Sequence, residues 1–134
     1  MPELPWKSVA QPVPDREYAA ILTYLPLKSF STLPQFFYYT GRIQSQLKSA
    51  PGLIGYSLVA HVFAKRFWTL SVWEDEAALE HFVRQQPHRQ AMLSLRSHMG
   101  DSAFTRWKLN GVAVPPSWRA AMEQLPKAAR IKNK

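Results

Sequence analysis

Two apolar segments separated by only two residues constrain the fold of this chain more than any other feature. Residues 53–63 (LIGYSLVAHVF) and residues 66–73 (RFWTLSVW) are rich in the branched and aromatic residues that favour β-strands. Because only Ala64 and Lys65 lie between them, the two strands must pair as an antiparallel hairpin. A two-residue turn would place His61 directly opposite Trp68, with both side chains on one face of the sheet.

The segments on either side of the hairpin add two helices and two strands. Residues 18–25 form a predicted strand that ends at Pro26, and residues 31–50 form a predicted helix that ends before Pro51–Gly52. Acidic residues at 74–76 favour the start of a second helix, which breaks at Pro87 and resumes up to Gly100. Residues 102–110 form a fourth strand. The order β-α-β-β-α-β predicts an α+β, ferredoxin-like fold with a four-stranded antiparallel sheet.

The chain is expected to have four parts. Residues 1–16 hold four prolines and predict an extended N-terminal arm. Residues 17–112 form the ferredoxin-like domain, and residues 113–126 form a short C-terminal helix capped by Ser117. Residues 127–134 (KAARIKNK) form a basic tail, which we expect to be solvated, so that its deletion would leave folding unchanged.

The predicted strands are apolar on both faces. An antiparallel sheet with one solvated face should alternate apolar and polar residues, and neither residues 18–25 nor residues 53–63 do so. Two helices cover only one face of such a sheet. A second copy of the same sheet is the simplest cover for the other face, so the pattern predicts a two-fold homodimer.

Composition excludes several classes of function. The chain of 134 residues has no cysteine, which rules out disulfides and thiolate metal sites. It has neither a stretch long enough for a membrane span nor a signal-like N-terminus, so we expect a cytoplasmic protein. The net charge of +8 is scattered rather than interleaved with aromatic residues, so we expect no nucleic acid partner. The four histidines lack metal-binding spacing, so we expect no metal. A glycine-rich phosphate loop is missing as well, so the sequence gives no support for a phosphate-bearing cofactor.

Five residues are the candidates for a site. His88 follows Pro87 at the break between two helical segments, where a side chain can reach a cavity that a continuous helix would close. His61 and Trp68 are predicted neighbours in the hairpin. Tyr24 offers a second aromatic wall, and Arg106 is a cation on the fourth strand. We expect His88, His61 and Arg106 to be catalytic, and Trp68 and Tyr24 to bind substrate.

One segment carries a family resemblance. Trp73 at a strand end, acids that open a helix, Ala78–Leu79, His81 and then Pro87–His88 resemble the pattern of the antibiotic biosynthesis monooxygenase family, of the dimeric α+β barrel superfamily. The motif match covers residues 67–92. The segment 67–106 is also similar to the spheroidene monooxygenase branch, which is associated with haem.

The resemblance implies two facing sheets in a dimer and a small cavity between sheet and helices in each subunit. It also implies oxidation of aromatic compounds without metal or flavin, or degradation of quinols or haem. The haem-degrading members use a helix Trp and a His that would fall near Phe82 and Met92, which argues against that reaction here.

Three hypotheses therefore remain open. The first is a monooxygenase-like protein that oxidises an apolar, aromatic small molecule without a cofactor. In it a base takes a proton, an aromatic wall holds the substrate and a cation stabilises the resulting anion. The second is a dimer that binds a ligand or haem without turnover, with His88 as the axial ligand. The third is a structural dimer whose basic tail binds an acidic partner.

Overall fold

The order of elements predicted from the sequence is confirmed, with one additional strand. The computed structural model describes residues 6–86 and 88–130. Its strands are β1 (Lys7–Ser8), β2 (Glu17–Pro26), β3 (Leu53–His61), β4 (Arg66–Trp73) and β5 (Ala103–Asn110). Its α-helices are α1 (Leu33–Leu47), α2 (Glu76–Arg84), α3 (His88–Leu95) and α4 (Trp118–Met122). The sheet is antiparallel in the order β1-β3-β4-β2-β5, which is the ferredoxin-like arrangement with β1 added at an edge.

The additional strand comes from the proline-rich arm. Lys7 pairs with Tyr56, and Ser8 pairs with Gly55 of β3. Gly55 permits this pairing because a side chain there would clash with the ring of Trp6, which packs over the glycine. The described part of the arm thus pairs with the sheet at Lys7–Ser8, and it turns at residues 14–15, where Asp15 has a positive φ of 67°.

The helix starts follow the local sequence. The Asp75 side chain accepts a hydrogen bond from Ala78 N at 2.8 Å and begins α2. Ser117 caps α4 in the same way, as predicted. Pro87 lies outside the described residues, and the helices on its two sides end at Arg84 and begin at His88.

The predicted register of the hairpin is wrong by two residues. Val59, rather than His61, is the direct partner of Trp68, and His61 is paired with Arg66. Residues 62–65 form a four-residue loop, in which Lys65 has a positive φ of 58°. Because the error is an even number of residues, it leaves the side chains of residues 55–61 on their predicted faces. Ile54 is an exception: a β-bulge between Leu53 and Gly55 places it on the same face as Ala20 and Val72, rather than on the predicted face of Tyr56.

One face of the sheet is sealed within the chain. We call it the sealed face; its central side chains are almost fully buried, and they are Ala20, Leu22, Val59, Trp68, Leu70 and Val72. Helix α4 and the residues after it supply the cover, mainly through Ala121, Met122, Leu125 and Ala129. This face therefore needs no second copy to cover it, contrary to the expectation from its apolar strands. The homodimer itself stays a prediction.

The start of the basic tail docks on the sealed face, contrary to the prediction of a solvated segment. Lys127–Ala129 form a 3-10 turn, and Ala129 is buried. The Trp68 indole Nε1 donates to Ala129 O at 2.6 Å. The physical reason is that backbone carbonyls of the tail accept hydrogen bonds from donors on the sheet. The charged side chains of the tail give no indication of this contact in the sequence. Residues 131–134 lie outside the described part of the chain.

The opposite face, which we call the helix face, packs against α1, α2 and α3. Tyr56 and Trp73 pack against Leu47, Leu79 and Phe82, and Phe67 packs against Phe36 and Leu95. None of the helices within residues 6–86 and 88–130 combines the length and hydropathy that crossing a bilayer requires.

Candidate functional site

Tyr24, His61 and Trp68 come together on the sealed face. The Tyr24 and Trp68 rings are stacked with centroids 5.4 Å apart, and the His61 ring meets Trp68 edge-on at 4.9 Å. Contact between His61 and Trp68 is thus confirmed, although the two residues are diagonal rather than direct neighbours. Trp68 has no exposed surface.

Arg66 completes this group and was missed by the sequence analysis. Its guanidinium lies 5.0 Å from the Tyr24 ring centroid and 5.1 Å from that of Trp68. Its Nε donates to the Tyr24 hydroxyl at 2.8 Å, and Nη2 donates to Ala128 O at 2.8 Å and to Arg130 O at 3.1 Å. A cation two residues before Trp68, hence on the same strand face, was the available signal.

The contacts of Arg66 and Trp68 with the tail determine the access to these rings. Together the two side chains donate to the carbonyls of three consecutive residues, 128–130. A substrate could touch the Trp68 ring only after this segment had been displaced. The sealed face is therefore built as a core.

The helix face is different because the middle of its two central strands is only half-buried. Ile21, Thr23, Thr69 and Ser71 each retain solvent exposure, while their neighbours in sequence on the sealed face have almost none. Thr23 is paired with Thr69, and Ile21 with Ser71, so the four side chains form one continuous patch. We call it the open strip. The open strip could not be predicted from the sequence, because alternation in an apolar strand does not reveal which face is fully covered.

Strand β5 extends the open strip to the edge of the sheet. Phe104 is the partner of Thr23, and Arg106 is the partner of Ile21, so both side chains lie on the helix face. Residues along β5 alternate between half-buried and exposed, and the exposed ones point to this face. The result is a shelf of mixed character, in which Ile21 and Phe104 are apolar and the other residues carry hydroxyl groups or, at Arg106, a charge.

Arg106 spans this shelf. Its guanidinium forms an ion pair with the Glu80 carboxylate on α2, which ties β5 to the helix layer. The hydrogen bond from Arg106, followed by the attraction of its charge, holds the pKa of Glu80 below its ordinary value. Because both side chains are solvent-accessible, the pair can exchange partners with an anionic ligand at small cost.

His88 lies in the helix layer at the start of α3. Its ring is 5.2 Å from that of Phe82, and its backbone N–H donates to Gln46 Oε1 at 3.1 Å. Nδ1 is 3.3 Å from Val83 O. A carbonyl oxygen only accepts, so Nδ1 carries the proton and Nε2 carries the lone pair. Burial lowers the pKa of His88, and the hydrogen bond to Val83 opposes this only in part.

Two surface depressions border the contacts of His88. One, of about 170 Å³, is lined by Phe82, Gln46 and neighbouring residues of α1 and α2. The other, of about 420 Å³, is lined by Val83, Arg84, Arg89, Met92 and Leu93. Each therefore includes a residue that contacts His88, while His88 itself lines neither depression.

The five candidate residues fall into two groups. Tyr24, His61 and Trp68 lie on the sealed face, whereas Arg106 lies on the helix face and His88 in the helix layer above it. The structure thus does not bring all five into one cavity. Within residues 6–86 and 88–130, no three His, Asp or Glu side chains are grouped as metal ligands would be.

A model of the antibiotic biosynthesis monooxygenase family matches residues 38–93. Three solved structures also share the fold. SnoaB, a cofactor-independent oxygenase from Streptomyces nogalater, covers 67% of this chain and 90% of its own at 14% identity, with a TM-score of 0.56. An antibiotic biosynthesis monooxygenase covers 66% and 95% at 13% identity, with a TM-score of 0.60. A conserved protein from Methanosarcina mazei covers 69% and 93% at 12% identity, with a TM-score of 0.61.

The predicted resemblance to this family is confirmed by these matches, while the likeness to the spheroidene monooxygenase branch is not confirmed. At identities this low the solved structures establish the fold alone. No curated protein sequence matches the chain.

Proposed function

We propose that this chain, which carries an antibiotic biosynthesis monooxygenase domain at residues 38–93, oxidises an apolar aromatic small molecule without metal or flavin. One observation carries the proposal. The open strip stays half-exposed beneath the helix layer, while the same strands are sealed on their other face. The substrate then binds between sheet and helices, against Ile21, Thr23 and Thr69.

His88 is the proposed base. A base must be neutral before it accepts a proton, and burial lowers the pKa of His88, so the imidazole is neutral at neutral pH. Because Nδ1 donates to Val83 O, the lone pair is fixed on Nε2. The imidazolium formed on proton transfer keeps the Val83 hydrogen bond and gains a donor at Nε2.

Arg106 is the proposed stabiliser of the substrate anion. It reaches across the helix face to Glu80, so its charge already lies over the shelf. A substrate oxyanion can share the guanidinium, because Arg offers several donors in a fixed plane. In this proposal Glu80 orients Arg106 until the substrate binds.

The proposed reaction needs only substrate and oxygen. His88 Nε2 takes a proton from a carbon next to a carbonyl, and the electron pair moves onto the carbonyl oxygen beside Arg106. The enolate transfers electrons to O₂ and forms a carbon–oxygen bond. The peroxide takes the proton back from His88, and loss of water across the O–O and remaining C–H bonds leaves a new carbonyl. The substrate carbon is oxidised, one oxygen atom enters the product and the other leaves as water.

The test is oxygen consumption with a panel of aromatic ketones and hydroquinones. His88→Gln should lower the rate by about 10²-fold or more, the usual contribution of a general base. Arg106→Gln should lower it by about 10²-fold. His98→Gln, at an exposed histidine, is the control and should retain the rate. Turnover by the parent protein that neither His88→Gln nor Arg106→Gln reduces would contradict these roles.

Haem binding by a dimer without turnover is the second candidate, and it also depends on His88. An axial ligand needs a neutral imidazole with a free Nε2, and the Val83 hydrogen bond provides that tautomer. The absorption spectrum after addition of haem separates the two functions. A Soret band that His88→Ala abolishes would favour haem binding.

The predicted homodimer is part of the proposal, with its location changed. Because the C-terminal segment occupies the sealed face, two intact copies cannot join their sealed faces without displacing it. The dimer then uses the remaining surface or exchanges this segment. Light scattering should give twice the monomer mass of 15.4 kDa. A monomer mass would remove the dimer from the proposal.

A further inference from the structure

One end of the sheet is aromatic and basic, and only Phe104 among its aromatic residues also borders the shelf of the proposed site. At this end β2 and β3 finish, and β4 and β5 begin. Three phenylalanines project from it: Phe63 is 93% exposed, Phe104 is 69% exposed and Phe30 is 50% exposed. We call it the aromatic end.

Cations stand beside these rings. Lys28 precedes Phe30 by two residues and is exposed, and Lys65 follows Phe63 by two. The Lys65 ammonium lies 4.9 Å from the Phe30 ring centroid. The hydrogen bond from Leu27 N to Lys65 O joins the two turns, so their aromatic and basic side chains form one surface.

The acids are separated from this surface. Glu17, Glu74 and Asp75 lie at the other end of the sheet, where β2 begins and β4 finishes. Two of the acids there are already paired, Glu74 with Arg16 at 2.9 Å and Glu17 with Lys108 at 3.7 Å. Within residues 26–32, 62–66 and 96–102, Asp101 is the one acidic residue.

We propose that the aromatic end docks on an anionic lipid surface. The three rings project from a turn, a hairpin loop and a strand, and Phe63 packs against almost nothing. A protein partner would need a separate pocket for each ring, whereas a fluid interface accepts projecting rings without a matching shape. Rings that enter the acyl boundary and lysines at the level of anionic headgroups form the usual pattern of peripheral binding. This inference does not depend on the proposed oxidation.

The first experiment is sedimentation of the full-length protein with lipid vesicles. It should bind vesicles of phosphatidylcholine mixed with phosphatidylglycerol, and bind phosphatidylcholine alone much more weakly. Phe63→Ser should weaken binding roughly tenfold, since a buried ring is lost. Lys28→Glu should weaken it at least about fivefold, from the attraction expected for one basic side chain.

Two variants at the opposite end are matched controls. Val112 is 70% exposed beyond the end of β5, and Lys48 is exposed at the end of α1. Val112→Ser and Lys48→Glu repeat the same chemical changes and should leave vesicle binding unchanged. Equal losses in these controls would overturn the proposal, because general charge or hydropathy would then explain the binding.

A second measurement locates the contact. Because the chain has no cysteine, Phe63→Cys and Val112→Cys each accept one polarity-sensitive fluorophore. The label at residue 63 should shift to the blue with anionic vesicles, and the label at residue 112 should not. Either of two results would overturn the proposal: no shift at residue 63, or a loss of dimer mass in Phe63→Ser. The last would identify a second copy as the occupant.

Discussion

The two faces of the sheet are made by the same strands but differ in how completely they are covered. Trp68 and Leu70 of β4 are almost fully buried on the sealed face, while Thr69 and Ser71 between them remain half-exposed on the helix face. The sealed face is covered by α4 and the residues after it, including the start of the tail that was expected to be solvated. The helix face, which was expected to be covered by helices, keeps an open strip.

Because of this difference, we expect the sealed face to contribute mainly to stability and the helix face mainly to function. A fully buried face stabilises the fold in proportion to the apolar area that it removes from water. A half-covered face removes less apolar area from water and so stabilises the fold less, but it leaves room for a ligand. The comparison therefore predicts that substitutions on the sealed face change stability, and that substitutions on the helix face change activity.

The largest expected effect is at Trp68. Trp68→Ala removes a fully buried ring and its hydrogen bond to Ala129 O, and should lower the free energy of unfolding by about 3–5 kcal/mol. Thr69→Ala, one residue further on the open strip, should cost less than about 1 kcal/mol. Urea denaturation of both variants measures the difference. Similar losses at the two positions would show that the faces are not distinct.

Removal of residues 127–134 should come next. The truncation leaves Arg66 and Trp68 without their carbonyl acceptors and uncovers the surface under Ala129. We expect the free energy of unfolding to fall by about 2–3 kcal/mol, mainly because the charged Arg66 side chain loses its hydrogen bonds.

A double-mutant cycle isolates that contact. In an Arg66→Gln background the same truncation should cost less, because one set of donors has already gone. An unchanged denaturation midpoint after truncation of the parent would restore the expectation of a solvated tail.

A smaller effect should appear in the pH dependence of stability. Burial lowers the pKa of folded His88 below its ordinary value of 6.5, so the unfolded chain binds the proton more readily. The stabilising effect of a neutral His88 is full above about pH 6.5 and declines as the pH falls from there through the lowered pKa. His88→Gln should flatten this decline, and exposed His98→Gln should not. Thermal unfolding across this pH range distinguishes them, and identical profiles would argue against a buried His88.

The smallest stability effect is expected at the ion pair on the helix face. Glu80→Gln removes the charge opposite Arg106, but both side chains are solvent-accessible, so the melting temperature should stay within measurement error. Activity should respond instead, because Arg106 loses its orienting partner. A clear drop in melting temperature without a change in rate would assign the pair to the fold.

Much of the architecture could be predicted because short stretches of sequence specify it. The acids at 74–76, Ser117 and the prolines mark helix starts and strand ends, and the alternation in β4 places Trp68 and Trp73 on opposite faces. The contact of His61 with Trp68 followed from the same alternation. Its register did not, because a loop of two residues and one of four fit the same sequence.

The candidate site was harder to predict because exposure depends on distant segments. Thr69 and Ser71 are unremarkable in sequence, and only the incomplete packing of the helices makes them part of an open strip. Arg66 likewise looks like an ordinary strand residue in the sequence. Its hydrogen bonds are made with the carbonyls of residues 128 and 130, which are distant in the chain.

The sequence by itself determined the order of elements, the antiparallel hairpin, the family resemblance and, outside the β-bulge at Ile54, the side of the sheet on which the strand residues lie. These depend on backbone periodicity, turn length and capping, which act over a few residues. The tertiary structure alone decided that the C-terminal segment seals one face and that the helices leave the other partly open. It thereby divided His61, Trp68 and Tyr24 from His88 and Arg106. The reason is that coverage of a face is set by contacts between residues far apart in the chain, such as Trp68 with Ala129, and no local pattern records them.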